Sequence, residues 1–201
     1  EASQIEQTRA APALLRARRA VVVGDPRQLR HVSFRSDDDI ERVIAQHGLQ
    51  DLRGRLDLRR VSAFDLAATA APVDVLREHF RSVPHLIEFS VRTFYRDRVD
   101  IMTRHPRNES LDAIDVRTVA PPSSGTKVHR DEIDAALELL LGLDDGGVHR
   151  IGVISPFRDQ ADALEAAILE HFDAARIARL GLRVGTVHSF QGGERDTVIV
   201  S

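Results

Sequence analysis

The stretch Arg183-Val-Gly-Thr-Val-His-Ser-Phe-Gln-Gly-Gly-Glu-Arg-Asp-Thr-Val-Ile-Val-Ser201 reads as a strand, a glycine turn and a second strand. Val184, Thr186 and the run 198–200 are β-branched, which favours a pleated, half-buried backbone. Gln191-Gly192-Gly193-Glu194 continues neither strand comfortably, so the chain turns there. An amide and a carboxylate beside two glycines, at the end of a buried strand, present hydrogen-bonding groups to a ligand.

Outward from this stretch, strands and helices alternate. Residues 148–154 read as the preceding strand, and 157–172 set Ala161, Leu164, Ile168 and Phe172 along one helix face. Residues 131–143 do the same with Ile133, Ala136, Leu137, Leu140 and Leu141. Further back, Pro84 opens a helix over 84–95, at a position where a first turn tolerates proline. Ser36 and the three aspartates after it open another over 36–46. Residues 11–18 are helical in propensity. Residues 19–23 form an apolar β-branched run ending at Gly24-Asp25-Pro26, the mark of a strand buried on both faces. Residues 73–76 and 114–119 are two further strand candidates. The second of these lies inside an irregular stretch, 100–125, that holds Pro106, Pro121, Pro122, Ser123, Ser124 and Gly125. Alternation of this kind predicts an α/β fold, a parallel sheet covered by helices.

Composition narrows the function classes. At 201 residues the chain is long enough for one or two domains with real cores. Its 42% hydrophobic and 29% charged residues exclude a disordered chain, and no apolar run approaches the roughly 20 residues a membrane helix needs. No targeting leader is legible at the first residues, and zero cysteines exclude disulfides and thiolate zinc sites. Nine histidines without ligand spacing give no metal site. Net charge is −3, so a face that binds nucleic acid must be local rather than the whole surface. Lys127 is the single lysine among 28 basic residues, a bias we attribute to a GC-rich genome. The expected setting is a bacterial-looking cytoplasm.

Five boxes then fall in a recognisable order. Thr186-Val187-x-x-Phe190-Gln191-Gly192-x-Glu194 resembles motif V of superfamily 1 helicases, in the branch related to nonsense-decay and Okazaki-fragment helicases. Glu1-Ala2-Ser3-Gln4 resembles that branch's Walker B box without its first Asp, and Gly24-Asp25-Pro26-Arg27-Gln28-Leu29 resembles motif III. Leu76-x-x-x-Phe80-Arg81-Ser82, with Pro84 and Phe94-Tyr95 following, resembles motif IV. Ile151-Gly152-Val153-Ile154-Ser155-Pro156-Phe157-x-x-Gln160 resembles the box preceding motif V. Each alone is weak, whereas the ordered set is specific.

The resemblance implies a RecA-like fold of the P-loop NTPase type: residues 1–78 as the tail of a first RecA-like domain, and 79–201 as most of a second, ending before motif VI. It implies ATP and magnesium as cofactors and single-stranded DNA or RNA as partner. The sequence contains no Gly-x-x-x-x-Gly-Lys-Ser/Thr phosphate loop. Charge pairs facing open water contribute only about 1 kcal/mol or less, so the chain by itself is expected to bind ATP no better than millimolar and to hydrolyse none.

ATP hydrolysis needs a phosphate cradle with magnesium, a group orienting the attacking water, and cations that neutralise charge on the γ-phosphate. By resemblance Glu1 orients the water, and Gln28 donates its amide to a γ-phosphate oxygen. Arg81 serves as an arginine finger across the interdomain cleft, because a guanidinium offers paired donors and a permanent charge. Gln4, Gly24, Asp25, Gly193 and Glu194 complete the nucleotide set. Thr186, His188 and Gln191 lie towards the nucleic acid with Ser155, Phe157 and Arg158. A hydroxyl and a strand-end amide hold phosphate without reading sequence, and an exposed Phe157 offers a stacking face. The family often has Asp where His188 stands, and we read no metal into the change. The parent's activity is then ATP-driven movement on single strands. Alternatives are a nucleic-acid-dependent ATPase switch that remodels without unwinding, one form of which is fused to a nuclease in repair or defence, and an unrelated α/β nucleotide-binding domain.

Overall fold

The computed structural model describes residues 1–121 and 127–201. The part of the irregular stretch that includes Pro122, Ser123, Ser124 and Gly125 lies outside the described residues. The chain packs into two compact units, Glu1–Asp115 and Val116–Ser201.

The carboxy-terminal unit is the α/β one. Helix α7 (Arg130–Asp145; α1–α6 belong to the other unit) leads to strand β3 (Ile151–Ser155), then to α8 (Arg158–His171) and α9 (Ala174–Leu180). Strand β4 (Arg183–Thr186), the single turn α10 (Val187–Phe190) and β5 (Thr197–Val200) follow. The sheet order is β4-β3-β5, and both pairings are parallel. Parallel strands need crossovers on their faces, and α8 with α9 supplies the one between β3 and β4. Ile151 and Val153 on β3 are fully buried, as a central parallel strand requires. They meet Leu137 and Leu140 of α7, Leu164 and Ile168 of α8, and Leu180 of α9 in one cluster.

The helix faces predicted over 131–143 and 157–172 are the buried ones, each helix ending within two residues of its predicted bounds. The expected strand over 183–188 stops at Thr186, where the chain winds into α10 before the glycine turn. Helix α9 was not foreseen, although Asp173 caps it by accepting from Arg176 N–H at 2.7 Å and Gly181 ends it in the left-handed region.

The amino-terminal unit is mostly helical. It contains α1 (Gln7–Leu14), α2 (Asp37–Gln46), α3 (Arg53–Leu56), α4 (Ala63–Ala70), α5 (Pro84–Tyr95) and α6 (Pro106–Glu109). Strands β1 (Glu78–His79) and β2 (Asp100–Ile101) pair in parallel. Ser36 caps α2 by accepting from Asp39 N–H, and Ser62 with Asp65 forms a capping box on α4. Helix α5 starts at Pro84 as predicted and stops where Arg96 turns left-handed, φ 54°.

Four local expectations are corrected here. Residues 19–23 are not a buried strand: Val21 is 91% exposed, and Ala2 N–H to Val23 C=O at 2.8 Å does not make a ladder. Residues 73–76 are extended but unpaired as a strand, the short β1 forming downstream of them. Residues 114–119 form no strand either. Helix α1 lies over Gln7–Leu14 rather than 11–18. The reason is common to the strands: β-propensity needs a partner edge to act on, and helix propensity does not.

Candidate nucleotide and nucleic-acid interfaces

In the amino-terminal unit the Walker B-like and motif III-like boxes lie side by side. Ala2 N–H bonds Val23 C=O, Asp25 N–H donates to Ser3 Oγ at 2.7 Å, and His31 N–H donates to Ser3 C=O at 3.3 Å. Ser3 is buried, so its hydroxyl is a fixed internal peg for the Asp25 turn. A Cβ on Gly24 would stand 2.7 Å from both Ser3 Oγ and Phe64 Cδ2. Only glycine permits that approach.

Asp25 is the hub of the turn. Its Oδ1 accepts from Arg27 N–H at 2.9 Å, and its Oδ2 accepts from Gln28 Nε2 at 3.1 Å and from Tyr95 Oη at 2.5 Å. Burial first, and Asp25 next, push the Tyr95 phenol up to about 12, so it stays a neutral donor. Glu1 and Gln28 are exposed and Gln4 is half-buried.

Arg81 sits on the exposed turn between β1 and α5. Its neighbour Ser82 holds the turn twice: Ser82 N–H donates to His79 Nε2 at 2.9 Å, and Ser82 C=O accepts from Thr103 Oγ1 at 2.6 Å. Burial, and then the Arg81 charge, lower the pKa of His79. The ring therefore remains neutral, with Nε2 an acceptor, which the Ser82 bond requires.

The carboxy-terminal unit collects the other residues at the carboxyl ends of its strands. Ser155 and Thr186 are paired in register on β3 and β4. Ser155 is buried and its hydroxyl accepts from Phe157 N–H at 3.3 Å, so it shapes the strand end from inside. Phe157 is 68% exposed, and Arg158, at the first turn of α8, is exposed beside it. His188 lies exposed on α10, and Gln191 is half-buried just after it.

Phe190 anchors that turn over the sheet. A Cβ on Gly152 would come within 2.7 Å of the Phe190 ring, so the aromatic lies directly against bare β3 backbone. The Arg183 guanidinium stacks 4.9 Å from the ring centroid and also donates to Ser189 C=O. Sequence reasoning missed this clamp, although an aromatic inside motif V and a glycine in the middle of a strand were both in view. Gly193 N–H donates to Phe190 C=O at 2.9 Å, closing the turn, and Glu194 is exposed beyond it. Gln160, the last residue of the box preceding motif V, has a role that its place in the box does not state. Buried, it accepts from His129 N–H at 2.8 Å and donates to Ser201 Oγ at 2.9 Å, tying α7, α8 and the end of β5 together.

Parallel strands covered by helices define an α/β unit, and in open α/β sheets ligands bind outside the carboxyl ends of the strands. Residues 59–201 match the model of a family described as AAA domain, and the chain belongs to that family, which is of the superfamily 1 helicase type. It is also similar to a Danio rerio protein that carries the name helicase mov-10-B.1, with 27% identity over 206 aligned positions, covering 90% of this chain and 20% of the relative. The chain thus spans about a fifth of the length of the curated relative it matches. Among the described residues, no helix is long and apolar enough to cross a membrane.

Proposed function

We propose that this chain is part of an ATP-dependent motor that moves on single-stranded nucleic acid, in which residues 1–78 and 79–201 belong to two successive RecA-like domains. The observation that carries the reading is the cluster at the β3 and β4 ends: the paired Ser155 and Thr186, exposed Phe157 and Arg158, and the α10 turn with His188 and Gln191. A strand edge with the Gln191 amide, the Thr186 hydroxyl, one cation and one open aromatic face, shaped from inside by buried Ser155, suits a sugar-phosphate backbone and unpaired bases, not base edges in a groove.

The nucleotide role in the amino-terminal unit rests on Gln28 and Arg81, with Glu1 orienting water and Gln4, Gly24 and Asp25 beside them; in the carboxy-terminal unit the family resemblance assigns Gly193 and Glu194 to the nucleotide. ATP brings the phosphoanhydride whose cleavage drives the cycle, and magnesium neutralises its oxygens. The donor set here fits only the outer phosphates: the exposed Gln28 amide and Arg81 guanidinium would hold terminal oxygens. Among the described residues, no three histidine or acidic side chains converge as a cation site.

Fluorescence anisotropy with a labelled single-stranded oligonucleotide tests the interface. Binding should weaken as salt rises, with a log–log slope of about −0.7 per phosphate contact. Phe157→Ala should reduce affinity for single strands by about tenfold, the scale of one lost stacking contact. Equal affinity for a blunt duplex, or no effect of Phe157→Ala, would contradict the assignment.

A further inference from the structure

Resting on the motor reading of Gln28, we propose that Tyr95 is a positioning residue for the nucleotide-response turn, its hydroxyl fixing the Asp25 carboxylate that in turn orients the Gln28 amide. Nothing in the five boxes assigns this role; Tyr95 enters them only as the last residue of a hydrophobic helix end.

The geometry is specific. Tyr95 and Gln28 donate to the same oxygen, Asp25 Oδ2, at 2.5 and 3.1 Å. The other oxygen is taken by Arg27 N–H at 2.9 Å, and the Asp25 backbone N–H is pegged to buried Ser3. Both carboxylate oxygens are thus engaged, and the Gln28 side chain hangs from the oxygen that Tyr95 fixes. A short bond from a neutral hydroxyl to a carboxylate is among the stronger hydrogen bonds in proteins. Without it, Asp25 Oδ2 loses its closest donor and the amide loses its fixed reference point.

Tyr95 is also the last residue of α5, and α5 begins two residues after the turn that presents Arg81. The 12-residue helix α5 therefore runs from the turn of the proposed finger to the phenol bonded to Asp25. Movement of the Arg81 turn along the α5 axis would be felt at Asp25 through the phenol.

Two measurements test this. In the full-length protein, Tyr95→Phe keeps the ring and removes only the donor. At saturating single strand, kcat for ATP should fall about tenfold, the scale of one lost hydrogen bond to a charged group, with KM for ATP held within about twofold. Tyr95→Phe added to Asp25→Asn should cost no more than Asp25→Asn alone, because both remove one linkage. A Tyr95→Phe enzyme with unchanged kcat, or a fall of KM and kcat together with melting temperature, would overturn the inference while leaving the motor reading intact. A wild type without ATP turnover would take both down.

Discussion

Arg81 shows how a single side chain can be aimed by neighbours that carry no catalytic duty. Its turn is fixed by Ser82, whose N–H needs a lone pair on His79. Burial and the Arg81 charge keep that ring neutral, so the support is self-consistent: the cation that the turn presents helps to maintain the acceptor that holds it. In the full-length protein, Arg81→Ala should lower nucleic-acid-stimulated ATP turnover by roughly 10³-fold or more, the range seen for arginine fingers, while nucleotide affinity stays within about tenfold. Steady-state turnover beside direct nucleotide binding is the check. Near-normal turnover would remove Arg81 from the reacting groups.

At the scale of elements, the carboxy-terminal unit is stapled as well as packed. Asp144, near the end of α7, receives Arg176 at 2.6 Å and Arg179 at 2.7 Å from α9, and its side chain is only 6% exposed. Those two guanidinium groups, Arg176 first, hold the carboxyl below its usual range. A depressed folded-state pKa contributes stability above the unfolded value of about 3.9, and that contribution is lost as pH falls through the folded value. Asp144→Asn should therefore lower the urea midpoint at pH 7 and pH 5 alike, and the gap from wild type should close only in acid below about pH 4. A gap unchanged down to pH 2 would mean that packing, not charge, is what the substitution disturbs.

The same scale shows what was legible in the sequence. Helices α2, α5, α7 and α8 carried their own evidence in caps, a first-turn proline and apolar faces, and they formed where expected. Strands β3 and β4 were legible because helix α8 covers them, whereas β5 was legible from its β-branched run alone, since Val198 and Val200 stay exposed. Residues 19–23 and 73–76 have the same composition but no paired edge, so Val21 and Leu76 stay in water. The helical turn at Val187–Phe190 was hidden because its cause, the Phe190 ring seated on Gly152, is a contact between residues 38 positions apart by numbering. The Asp25–Tyr95 bond, 70 residues apart, was hidden for the same reason.

For the whole molecule, local surface matters more than sum of charge. A chain with net charge −3 can hold a polyanion only through a confined face, which on the proposed reading is the β3 and β4 ends. On the proposed motor reading, the motif V turn links ATP turnover to a single strand. Titrating the full-length protein with single-stranded oligonucleotide while following ATP turnover, in wild type and in Gln191→Ala, tests that link most directly. The wild-type rate should climb and saturate with single strand, and the Gln191→Ala rate should keep its basal value but respond weakly. A wild-type rate indifferent to single strands, or full stimulation of Gln191→Ala, would contradict it.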